Sequence, residues 1–195
     1  NLLASTTINS IFILINFING INNNSLWFIS LAIYYLLLTV IKSILLSNIK
    51  KYKKEKEIRI YAFVGYFIMF INIALVIMII QMITSNIFIV YDDYIIYLVA
   101  AYTFYLIISA IVAVFRYRKY HNLIFSSVKV INLLTASVSI LMLQVAMITK
   151  FGSEQEDFMR LMNILTGSFV AAIILGISTY MIIKARKMSD KSDIN

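Results

Sequence analysis

Apolar runs follow one another along this chain, separated by short polar stretches. A bilayer core about 30 Å thick takes roughly 20 apolar residues as a helix, and six segments answer to that length: 2–18, 26–46, 60–83, 94–115, 126–149 and 158–183. The pattern predicts an all-α fold, a polytopic transmembrane bundle of six helices. The first segment is the weakest, because Ser5, Thr6, Thr7, Asn9, Ser10 and Asn16 interrupt it, and the count falls to five if it does not span. It has no basic n-region and no A-x-A cleavage site, so it does not read as a signal peptide. An Asn-rich turn is expected over 19–25, and a frayed basic tail over 184–195. The chain has no proline, and within the segments glycine falls only at Gly65, Gly167 and Gly176. Broken helices at transporter sites are commonly signalled by Gly or Pro interruptions; continuous helices are expected here.

Charge gives each loop a side. Basic residues gather in 50–59, 116–119 and 184–191, with Lys42 and Lys129 a turn or two inside the neighbouring apolar runs, and only Lys150 and Arg160 lie elsewhere. Cytoplasmic loops of membrane proteins collect Lys and Arg, so these stretches face the cytoplasm and both chain ends lie inside. The six helices then form three sequential hairpins joined at the cytoplasmic face. Trp27, Tyr91, Tyr94 and Tyr97 fall at outer helix ends and Tyr61, Tyr117 and Tyr120 at inner ends, where interfacial aromatics are expected.

Composition agrees with this reading and removes a competing one. The chain is 62% apolar, with a mean hydropathy of +0.90 and only 13% charged residues, whereas soluble domains are about 25% charged. A net charge of +8 invites a nucleic-acid reading, but the excess is topological. The inner side, with Lys42 and Lys129, sets fifteen basic residues against Glu55, Glu57, Asp190 and Asp193, 15 − 4 = +11, and the outer loops set Lys150 and Arg160 against Asp92, Asp93, Glu154, Glu156 and Asp157, 2 − 5 = −3. The partners expected are therefore membrane lipid, with anionic headgroups at the cytoplasmic face, and a protein partner or a second copy of the chain; nucleic acid is not among them. Basic residues beside helix ends attract anionic lipid at about 1 kcal/mol each.

Groups able to do covalent chemistry are scarce. There is no cysteine, and the single histidine, His121, sits in an expected cytoplasmic loop. No catalytic, cofactor-binding or metal-binding residue is assigned, and no cofactor is implied. All nine carboxylates fall in loops or the tail, so no intramembrane carboxylate marks a proton path. Lys42 and Lys129 can snorkel to the cytoplasmic interface.

The polar residues inside the runs form faces. Tyr91, Tyr94, Tyr102, Tyr105 and Ser109 share an arc of about 80° on the fourth helix, and Lys129, Asn132, Thr135 and Ser139 fall on one side of the fifth. Asn72, Tyr102, Tyr105, Asn132, Thr135 and Ser139 are the candidate ligand or packing face near mid-membrane. Ser168, Ala172 and Gly176, with Thr179, make a small-residue stripe on the sixth helix, expected to pack inside the bundle, with a dimer face as the alternative.

The stretches SLWFISLAIYYLLLTVIKSILL, AAYTFYLIISAIVAVFRYRKY and LQVAMITKFG to MNILTGSFV resemble an uncharacterised family of multi-pass membrane proteins of low-GC Gram-positive bacteria. That resemblance runs from Ser25 onward and implies a bacterial plasma membrane; it brings no activity and no functional residues. In length and helix count the chain is also similar to the six-helix substrate-binding subunits of energy-coupling-factor vitamin transporters. Those dock through an AxxxA pattern in the first helix, where this chain has only Ala4. The function expected is that of a small-solute permease or the membrane subunit of a transport system. The alternative is a non-enzymatic scaffold or accessory protein that engages a partner or anionic lipid through its basic cytoplasmic loops.

Overall fold

A computed structural model describes residues 2–47, 54–84, 93–116, 122–151 and 156–192. The described residues form six α-helices: α1 (Leu2–Asn22), α2 (Leu26–Ser47), α3 (Lys54–Thr84), α4 (Asp93–Arg116), α5 (Leu123–Phe151) and α6 (Glu156–Ser192). The fold is all-helical, and five helices, α2 to α6, are long and apolar enough to cross a membrane. The bundle is compatible with a multi-pass integral membrane protein. The basic residues Lys50, Lys51, Lys53, Arg118 and Lys119, His121, the tyrosines 91, 117 and 120, and the acidic residues Asp92 and Glu154 lie outside the described residues.

Helix boundaries depart from the apolar runs where polar residues favour helix. Glu55 and Glu57 occupy the first turn of α3, where carboxylates offset the positive end of the helix dipole, so α3 begins at Lys54 rather than at 60. Asn122 caps α5: its Oδ1 accepts the N–H of Ile124 at 2.7 Å while its Nδ2 donates to Glu57 Oε1 at 2.7 Å. One side chain thus ties the start of α5 to the first turn of α3. The expected frayed tail is helix through Ser192. The Asn-rich turn shrinks to Asn23–Asn24–Ser25, with Asn24 in the left-handed region at φ 47° and Ser25 N–H donating to Gly20 O at 2.9 Å.

Pairing of the helices differs from three sequential hairpins. α1 packs on α2 and α4 on α5, but α3 pairs along its length with α6. Two glycines make that approach possible. A Cβ at Gly65 would stand 3.2 Å from Met181 Cβ, and one at Gly167 would stand 2.9 Å from Ile79 Cγ2. The two contacts fix an antiparallel register in which Lys54 comes level with Ser192. At 1.5 Å per residue α3 is about 46 Å long and α6 about 55 Å, against a hydrocarbon core of about 30 Å. The pair therefore overruns the core, and Ile58 and Ala185 remain buried in its charged end.

α5 lies at the centre, packed against α2, α3, α4 and α6. Its buried side includes Ile124, Ile131, Leu134, Val138, Leu141 and Val145 together with Ser127, Asn132, Thr135 and Ser139. The outer surface is apolar, with Phe70, Phe104 and Phe169 each more than 60% exposed. In water such a surface would aggregate; in lipid it meets a solvent of its own kind. Helix α1 shows the inversion most clearly. Asn9, Asn16 and Asn19 are buried with Phe12, whereas Ile8, Ile11, Leu14, Ile18 and Ile21 face outward. Of the aromatics expected at the interfaces, Tyr94 and Tyr97 are exposed, but Trp27 and Tyr61 turn into the bundle, at 7% and 1% exposure.

Candidate functional site

The polar side chains inside the bundle gather into three nodes. The first joins α1, α2 and α4. Tyr102 donates its phenol proton to Asn9 Oδ1 at 3.2 Å, and Asn9 Nδ2 donates in turn to Thr39 Oγ1 at 3.4 Å. Around this chain of bonds the Phe12 ring stacks on Tyr102 with centroids 3.7 Å apart, and Tyr35 meets both rings edge-on at 5.5 Å and 5.9 Å. Asn9 is an asparagine in an otherwise apolar contact because its amide can both accept and donate across two helix boundaries. Sequence reading counted Asn9 only as an interruption of the first apolar segment and did not single out Thr39 or Phe12. The signal was present: positions 9, 12, 16 and 19 lie within about 80° of one another on a helix, opposite the isoleucines.

The second node ties α4 to α5. Thr103 Oγ1 lies 2.6 Å from Ser139 Oγ and donates to the Ser139 carbonyl at 3.2 Å. Tyr102 and Thr103 are chain neighbours about 100° apart on the helix, so one turn of α4 is fixed to α1 by the first and to α5 by the second. The third node ties α3 to α6: Asn72 Nδ2 donates to the carbonyl of Ala171 at 3.2 Å.

The six expected face residues therefore do not converge on a single site. Tyr102 turns to α1, Ser139 to α4, and Asn72 to α6. Thr135 bonds the carbonyl of Ile131 in its own helix at 2.7 Å, Asn132 is buried, and Tyr105 is half-buried. The tyrosine stripe of α4 is also split, since Tyr94 is 59% exposed while Tyr102 is 6% exposed. An arc of 80° straddles the boundary between the buried and outward sides of one helix.

The small-residue stripe is corrected more sharply. Ser168, Ala172, Gly176 and Thr179 all face outward, and a Cβ built at Gly176 meets nothing within 4 Å. Internal packing on α6 is served by Gly167 and Ala171 instead, one residue removed from Ser168 and Ala172. A stripe of small residues marks a close approach only on the side where another backbone lies.

The groups in these nodes are neutral amides and hydroxyls, and what they do chemically is exchange hydrogen bonds. Each such bond between membrane helices is worth about 0.6 kcal/mol on average. Among the described residues, buried oxygens without a hydrogen-bond partner include the phenol of Tyr34, Oδ1 of Asn72 and Oδ1 of Asn163. At the charged end of the α3–α6 pair, Lys54, Lys56, Arg59, Arg186 and Lys187 are exposed, Lys184 sits over the Tyr180 ring at 5.7 Å, and Arg186 donates to Tyr66 OH at 3.0 Å. No family model, curated protein or solved structure matches this chain.

Proposed function

We propose that this chain is a non-enzymatic scaffold or accessory protein of a bacterial plasma membrane, with both ends in the cytoplasm and its working surface at the basic end of the α3–α6 pair. One observation carries the reading. Of the polar side chains expected to line a ligand face, Tyr102, Ser139 and Asn72 are engaged helix to helix, whereas the longest helix pair, longer than the hydrocarbon core is thick, ends in the exposed Lys54 and Lys56. In that orientation α1 is a sixth membrane helix: at 21 residues it is about 31 Å long, and its outward side is apolar. Lys54, Lys56 and Lys184 are the residues assigned to partner contact.

The test is photo-crosslinking in cells from a probe at position 56, with and without charge reversal of Lys54 and Lys184. A discrete product that the reversal abolishes is the expected result. An unchanged pattern after reversal would remove the basis for this assignment.

A second reading, a small-solute permease or transport subunit, has two observations in its favour. The partnerless Tyr34 phenol and Asn72 Oδ1 are buried acceptors of the kind a bound solute would satisfy. Replacing Asn72 and Asn132 with Leu separates the readings, since solute uptake that falls with these variants belongs to the permease.

A further inference from the structure

The Arg186–Tyr66 pair has a geometry that partner docking does not use. Side chains on a helix tilt toward its N-terminus, so Arg186, close to the C-terminal end of α6, leans back toward the apolar part of the bundle. The helix register sets Arg186 level with Ile60 of α3, yet its Nη2 meets the hydroxyl of Tyr66 at 3.0 Å. Tyr66 is six residues, about 9 Å, further along α3 away from the charged end. The guanidinium accordingly lies beside the first apolar turns. Tyr66 is neutral and occupies one of five N–H donors. Among the described residues, Glu55 and Asp190 are the carboxylates on these helix faces, and both lie further out, Asp190 a full turn beyond Arg186.

A cation directed into the headgroup boundary, with donors to spare, calls for an anion that is itself anchored there. We propose that Arg186 and Tyr66 bind the phosphate of an anionic phospholipid of the cytoplasmic leaflet, which rests on the orientation proposed above. The guanidinium supplies charge-assisted bonds and the Tyr66 hydroxyl, already an acceptor from Arg186, keeps its own proton to donate. Arg59 lies on the same face of α3, exposed and seven residues (about 10 Å) nearer the cytoplasm, where it adds charge toward the headgroup. On the membrane side of the phosphate, the exposed face of α6 carries Thr179, Gly176 and Ala172. The open space over Gly176 gives an acyl chain a shallow trough.

Native mass spectrometry of the detergent-purified chain, titrated with phosphatidylglycerol or with phosphatidylcholine, tests this. Phosphatidylglycerol adducts should exceed phosphatidylcholine adducts in the unaltered protein. R186Q should weaken them about fivefold, the equivalent of about 1 kcal/mol for one basic residue at an anionic surface. Y66F should weaken them by a smaller factor, and K187Q, about 100° around α6, by less than twofold. Equal losses in R186Q and K187Q would show diffuse attraction and overturn the site, as would full retention in R186Q. Gly176→Leu, where an added Cβ meets nothing within 4 Å on an exposed face, should fold and lose lipid with no change in oligomer mass. Retained lipid together with loss of a dimer would instead give the face to a second copy and overturn the proposal. Loss of crosslinking from position 56 alone leaves this result untouched, so the two assignments fail separately.

Discussion

The link between Tyr102 and Asn9 is the sharpest test of whether α1 belongs to the bundle. Tyr102→Phe removes the phenol proton donated to Asn9 Oδ1 at 3.2 Å and keeps the ring stacked on Phe12 at 3.7 Å. The loss should be small, about 0.6 kcal/mol and at most about 1.7 kcal/mol, the range measured for hydrogen bonds between membrane helices. Tyr102→Ala also removes the ring from a site 6% exposed, and burial loss with an unfilled cavity brings the cost to about 3–5 kcal/mol. Asn9→Leu with Tyr102→Phe completes a double-mutant cycle, read by unfolding of the purified chain in mixed micelles. The Asn9–Tyr102 coupling should lie between about 0.5 and 1.7 kcal/mol. A coupling of zero, with Tyr102→Ala no worse than Tyr102→Phe, would mean that α1 does not dock on α4, and the first polar node would go with it.

Glycine substitutions should separate the two sides of α6. Gly167→Leu forces a side chain into Ile79 and should destabilise by about 1–3 kcal/mol, whereas Gly176→Leu should leave the thermal midpoint of the monomer within about 2 °C, a small surface effect; comparable losses at both positions would contradict the packing. Asn122→Ala should cost about 1 kcal/mol by removing the cap of α5, and Asn122→Ser should restore most of that stability while leaving Glu57 without its amide donor, as thermal unfolding of the three proteins would reveal. Because the chain has no cysteine, single cysteines report topology without background: Asn23→Cys should react with an impermeant maleimide from outside the cell and Lys187→Cys only after permeabilisation. Labelling of both from one side would refute the six-span orientation.

The five long apolar runs were legible because lipid imposes length and composition on any helix that crosses it. Their partners were not. Asn72 at the middle of α3 announces a polar contact, but nothing in residues 60–83 says that the acceptor is the carbonyl of Ala171 ninety-nine residues later. Backbone acceptors leave no trace in side-chain patterns. The small residues of α6 were misassigned for a related reason: Gly167 and Ser168 are neighbours in sequence, and only the position of α3 decides which one meets a helix. The mid-membrane face was half legible. Asn132, Thr135 and Ser139 are all buried on α5, as their shared side implied, but Ser139 meets Thr103 of α4 while Thr135 bonds within α5 itself. Helix α1 was undervalued because its asparagines lower hydropathy, although those residues are the ones turned away from lipid.

The pairing of α3 with α6 also orders the birth of the molecule. α1 meets α2 and α4 meets α5 as immediate successors in the chain, so each pair is complete soon after its second helix emerges. α3 has no such successor. With domains made at about 5–20 residues per second, the roughly one hundred residues from Asn72 to Ala171 separate their synthesis by about 5–20 s. During that interval the amide of Asn72 and the bare flank at Gly65 stand in the bilayer without the helix that covers them. A membrane protease or insertase that samples unpaired polar helices has this window in which to act, and truncation anywhere before α6 leaves it permanently open.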